Sequence, residues 1–173
     1  MNFIDQYNIP INRIGNGSYN YDFNVSKKFF EHFTISDIDN GKIKVIVTLE
    51  KQHQIFILNF NCEGFVSVLC DRCLDEFNLE LSIKNKLLVK FEGNHYENQS
   101  DNMIIIPVSE ENINIAQYIY ELILLEIPIK RTHLDDSFCN REMINKLEEH
   151  KMNKSENIDP RWDKLSQVSQ ENK

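Results

Sequence analysis

The chain has 173 residues, 41% hydrophobic and 27% charged, enough for one ordinary domain or one domain with an extension, and this excludes wholesale disorder. Five glycines and four prolines exclude collagen-like and low-complexity classes. The net charge of −8 lies wholly in residues 1–140, because residues 141–173 hold seven basic and seven acidic side chains.

Such an acidic body favours basic partners and repels bulk nucleic acid, although −8 also serves solubility alone. No apolar run approaches the ~20 residues of a membrane span. The first thirteen residues carry no signal-peptide stretch, so a cytoplasmic protein without membrane contact is expected.

In chain order, residues 1–24 read as one or two strands around a turn at Gly15-Asn16-Gly17, and Ser26 as the cap of a short helix, Lys27 to Phe33. Strands are expected over 42–50, 54–60, 64–69 and 78–84, the last continuing through 87–91. Their short connections favour antiparallel pairing. Residues 92–102 are polar and read as a loop. Residues 103–108 form a buried or edge strand, a central place being disfavoured by Pro107. Ile113 to Glu126 is the main helix, with Ile115, Tyr118, Ile119, Leu122 and Leu125 as its apolar face, Glu110 and Glu111 before its positive end, and Pro128 ending it. A loop over 130–140 holds His133 and Cys139, followed by a polar helix, Arg141 to His150, and a linker, Lys151 to Ile158. A last short helix is capped by Asp159 with Pro160 in its first position, and carries Trp162 and Leu165 three apart. The fold class is therefore α+β: a mainly antiparallel sheet or partial barrel, one packed helix and a helical C-terminal extension.

The sharpest local signal is Leu69-Cys70-Asp71-Arg72-Cys73-Leu74. Without an export signal a disulfide framework is improbable, whereas a two-residue gap lets both thiolates reach one ion at about 2.3 Å. A structural zinc needs two more ligands. His133 and Cys139, just past the main helix, are the candidates, with Cys62 in reserve; Gly64 between Cys62 and Cys70 would mark a bulge. The alternatives are reduced cysteines used as small core residues, or a redox pair, which is disfavoured because no βαβ unit surrounds it. Arg72 would face solvent in a tight cysteine turn and suit a phosphate or carboxylate contact, or pair with Asp71, Asp75 or Glu76. No nucleophile elbow, phosphate-cradling glycine loop or zinc-protease motif occurs, so no enzyme and no small-molecule substrate are expected.

The string Gly64-x5-Cys70-Asp71-Arg72-Cys73-Leu74-x2-Phe77 resembles the YceD family, the large ribosomal RNA subunit accumulation proteins of bacteria and plastids. The helix ending in Ile127-Pro128, followed by His133 and Cys139, is similar to further pieces of that family in order. Asp159-Pro160-Arg161-Trp162-x2-Leu165 resembles the tail of one bacterial branch. The resemblance spans roughly residues 40–165, and the chain is read as a YceD-like domain over 1–140 with a helical extension over 141–173. It also implies a cytoplasmic role in accumulation of 23S rRNA, and no known catalytic residues. Joined to the charge reading, it suggests a non-enzymatic ribosome-biogenesis factor that binds a 23S rRNA precursor, a basic large-subunit ribosomal protein, or both, with Arg72 as a contact. The alternatives are a zinc- or carboxylate-dependent RNA-processing enzyme and a docking module built on the Trp162 segment.

Overall fold

The computed structural model describes residues 3–11, 14–33, 38, 40–53, 55–92, 97–100 and 102–151. The Trp162 segment and the linker beyond Lys151 lie outside these residues. Among the described residues no helix is long and apolar enough to cross a membrane.

The architecture is α+β around an open sheet of six strands: β2 (Gly17–Val25), β3 (Asn40–Gln52), β4 (Ile55–Leu69), β5 (Glu76–Phe91), β6 (Glu97–Ser100) and β7 (Met103–Ile106), in the order β2-β3-β4-β5-β7-β6. Two short strands, β1 (Asn8–Pro10) and β8 (Asn112–Asn114), pair separately. The three helices among the described residues are α1 (Lys27–Phe30), α2 (Ala116–Glu126) and α3 (Arg141–Glu149).

Alternation builds the core. Ile43, Val45, Val47 and Leu49 of β3 face Phe56, Leu58, Phe60 and Cys62 of β4 and Ile83, Leu87 and Val89 of β5, all buried on one side of the sheet. Tyr7, Ile9, Phe29 and Phe30 and the α2 residues Ile119, Tyr120 and Ile123 cover that side. The other side carries Lys42, Lys44, Glu63, Ser82, Lys84 and Lys86, all exposed.

Several expectations are corrected. The segments 54–60 and 64–69 are one strand, whereas 78–84 continues through 87–91 as expected. Gly64 marks no bulge: the register runs unbroken through Ile43↔Gly64 and Gly64↔Leu81. It is required because a Cβ there would stand 2.1 Å from the Lys42 carbonyl oxygen, with φ at 156°. The strands flanking Gly15 to Gly17 do not pair with each other, since β1 joins β8. The helix after Ser26 ends at Phe30, not Phe33, and the serine side chain makes no cap hydrogen bond. The early turn lets Phe33 stack on Tyr120 at 4.0 Å.

Within 92–102, read as a loop, residues 97–100 form the edge strand β6. Because β6 takes the outer place, β7 returns between β5 and β6 and runs parallel to β5, an exception to the antiparallel rule. Pro107 falls just past β7, so no ladder donor is lost. The main helix starts at Ala116, because Ile113 is taken by β8 and Ile115 is the N-cap. Glu110 and Glu111 therefore precede a strand, and the first turn holds no acid. The buried face is Ala116, Ile119, Tyr120, Leu122 and Ile123, and Leu125 is exposed. Pro128 ends the helix as expected, with Ile127 extended.

Candidate metal centre

Strand β4 delivers the chain to Cys70 and β5 takes it away from Glu76, so the cysteine pair forms the turn of the longest hairpin. Two backbone hydrogen bonds close the turn: Cys70 N–H to Asp75 O at 2.9 Å and Leu74 N–H to Cys70 O at 2.8 Å. Leu74 sits in the left-handed region at φ 63°. The second half comes from the loop after α2. Asp135 accepts from the Ser137 N–H at 2.8 Å and starts a 3-10 turn, Asp136–Phe138, that places Cys139. Asn140 then caps α3, accepting from the N–H groups of Glu142 and Met143.

Direct hydrogen bonds hold the halves together. The Asp71 N–H donates to the Arg131 carbonyl at 2.7 Å, and the Arg131 N–H donates to Asp71 Oδ2 at 2.6 Å. The side chains of the same two residues form an ion pair at 3.5 Å. Arg72 reaches across to form an ion pair with Asp136 through Nη1, and its Nη2 donates to Cys139 Sγ at 3.1 Å. It is thus paired with none of the acids near it in sequence, and 27% of its side chain stays exposed.

The ligand atoms of Cys70, Cys73, His133 and Cys139 all lie within 4.8 Å of one another. His133 Nδ1 is 3.7 Å from Cys73 Sγ and 3.4 Å from Cys139 Sγ. A tetrahedral ion with metal–sulfur bonds of about 2.3 Å and a metal–nitrogen bond of about 2.0 Å needs edges of roughly 3.5–3.8 Å, which the two His133–sulfur distances match. The three cysteines are buried, and Phe77, Met143 and Ile144 pack against them as a second cluster, with Phe77 packed against the main core as well. The Phe77 ring lies 4.6 Å from that of His133. Cys62, the reserve ligand, belongs to the main core instead, between Val45 and Ile83 of the neighbouring strands.

Electrostatics separate the thiols. Burial raises Cys70, but the backbone N–H groups of Cys73, Arg72 and His133, joined by the Cys73 thiol, outweigh it and bring the pKa down to about 6. Cys139 is held above its ordinary value, chiefly by burial, against the pull of Arg72. Burial alone pushes Cys62 up to about 12. The cluster therefore offers one thiolate readily and can hold a metal ion once the others lose their protons.

Two features had no local signal. Asp71 as a clamp and Asp136 as the partner of Arg72 both act across sequence separations of 60 residues or more. A groove of about 950 Å³ lies at the other end of the β4–β5 hairpin, lined by Ile57, Leu88, Met103 and Lys90 among others.

Searches of curated proteins and of solved structures give no match. A family model does match. Described as "Large ribosomal RNA subunit accumulation protein YceD", it covers residues 58–169, from β4 through the cysteine turn, α2 and the His133–Cys139 loop. With well over half the chain and all four clustered residues inside that match, the chain belongs to the YceD family.

Proposed function

We propose that this protein is a non-enzymatic factor supporting 23S rRNA accumulation and large-subunit assembly, acting by binding rRNA, a basic ribosomal protein, or both. The family description supports the ribosomal role. The observation that carries the non-enzymatic part is the Cys70, Cys73, His133 and Cys139 set. Four protein donors within 4.8 Å of one another suit zinc, and they leave no ligand position for the water that a catalytic zinc keeps. Zinc here would fix the β4–β5 turn to the loop before α3. Its chemistry would be structural: neutralising thiolates and cross-linking two distant stretches.

Arg72 has a supporting part in this reading. Zinc with three thiolates and one neutral imidazole carries a net charge of −1, and a guanidinium donating to Cys139 offsets it. The exposed edge of Arg72 remains open to a partner. We take residues 141–173 as an extension whose first helix is tied to the body by Met143 and Ile144.

The test has two arms. Cells depleted of the protein should lose 23S relative to 16S rRNA, with rescue by the wild-type chain but not by Cys73→Ser. Purified zinc-loaded protein should leave precursor 23S rRNA intact. An unchanged rRNA ratio contradicts the role, and specific metal-dependent cleavage favours the enzyme reading.

A further inference from the structure

The cysteine end of the molecule presents apolar side chains to solvent in a regular way. Each clustered residue has a large, exposed apolar neighbour in the chain: Leu69 beside Cys70 (54% exposed), Leu74 beside Cys73 (61%), Leu134 beside His133 (106%) and Phe138 beside Cys139 (72%). Two of these neighbours open the same short pattern, a clustered residue followed by leucine and two acids: Cys73-Leu74-Asp75-Glu76 and His133-Leu134-Asp135-Asp136. All four acids are exposed. Asp136 is answered by Arg72, while Asp75 and Asp135 form no ion pair among the described residues.

The isolated fold gains nothing from this arrangement. Leu74 occupies a left-handed backbone position at φ 63°, where glycine or asparagine costs less, and its side chain is mostly in water. Exposed apolar groups gathered at one end and rimmed by charge mark an interaction surface.

We propose that this end is a docking surface for a cationic protein segment bearing apolar side chains, of the kind basic large-subunit ribosomal proteins carry. The inference rests on the assembly-factor reading above and decides between its two partner classes. Charge makes the selection. Residues 69–76 and 130–142 together hold six acids and four bases, so the rim is net acidic and opposes the phosphates of RNA. A second copy would bring the same net-acidic rim against this one. Residues 152–173 of this chain hold four basic and four acidic side chains, so they offer the rim no complementary charge. A basic segment meets both features, seating apolar side chains among Leu69, Leu74, Leu134 and Phe138 and its cations beside Asp75 and Asp135.

The experiment uses the zinc-loaded full chain, a double variant Leu134→Lys/Phe138→Lys, and Leu74→Asn, which suits the left-handed backbone. The probes are individually purified, fluorescently labelled large-subunit ribosomal proteins and, separately, protein-free 23S rRNA. Zinc content and circular dichroism establish that the variants are folded. The expected result is binding of at least one basic ribosomal protein by the wild-type chain, weakened tenfold or more in the double variant and several-fold in Leu74→Asn. Any rRNA binding should be unchanged. Equal ribosomal-protein binding by all three chains overturns the surface while leaving the assembly role standing. Binding of rRNA alone overturns the choice of partner. Loss of self-association in the double variant would assign the surface to a second copy. Tighter probe binding after deletion of residues 152–173 would assign it to the chain's own tail. Either of these last two results also overturns the proposal.

Discussion

The four cysteines have one chemistry but two environments, the main core around Cys62 and the cluster of Cys70, Cys73 and Cys139. Cys62, buried in the main core with a pKa near 12, should resist alkylation in the folded protein. After chelation at neutral pH, Cys70 should react first and Cys62 only on unfolding, as read by mass spectrometry of labelled peptides. Prompt labelling of Cys62 would contradict its placement. The raised pKa also has a consequence for stability. An acid held protonated in the folded state stabilises it fully below the unfolded value near 9, and that contribution is lost as pH rises towards about 12. Tyr7, also raised by burial to about 12 from 10, acts in the same direction. Stability should therefore fall between pH 9 and 12, and Cys62→Val should flatten part of that decline in denaturant titrations. At Arg72, replacement by methionine keeps the stem but removes the donors to Asp136 and Cys139. Metal affinity should drop about 10- to 100-fold by chelator competition, the usual cost of losing an outer-shell partner. Unchanged affinity would mean the contact with Cys139 has no bearing on metal binding.

Among the elements, β4 and α2 position the site. Gly64 lies within β4 where the backbones of β3 and β4 approach too closely for a Cβ. Gly64→Ala should cost about 3 kcal/mol in denaturant unfolding, combining strain and overpacking. On α2, Ile123→Ala should cost about 2–4 kcal/mol, while Leu125→Ala should stay within about 0.5 kcal/mol, because Ile123 is buried and Leu125 is not. The reverse order would restore the apolar face read from the sequence. Alternation made β3 legible because one of its faces is buried along nearly its whole length. The start of α2 was not legible, since Ile113 and Ile115 fit a helical stripe as well as they fit a strand and a cap. The parallel placement of β7 depends on β6 taking the edge, a competition between distant segments that no local pattern records. The cysteine pair and its two later partners were visible as residue types at suggestive places. The Asp71–Arg131 clamp was not, because nothing near either residue points to the other.

At the scale of the molecule there are two hydrophobic clusters, the large one under the sheet and the small one around the cysteines. Metal removal should therefore loosen one end rather than unfold the whole. Bridging Cys73 to His133 closes a loop of 60 residues. A covalent cross-link of that length is worth about 4 kcal/mol in the chain-entropy model. A metal staple should contribute less, because the Asp71–Arg131 clamp already restrains the same loop. Chelation should lower Tm while preserving the strand signal in circular dichroism; complete loss of that signal would show that the sheet depends on the site. The central claim, that Cys70, Cys73, His133 and Cys139 together hold one metal ion, is tested most directly by metal analysis of the full chain purified under reducing conditions. The account predicts one zinc per chain, lost in Cys73→Ser and in Cys139→Ser and retained in Cys62→Val. Folded, fully reduced protein without bound metal would contradict it.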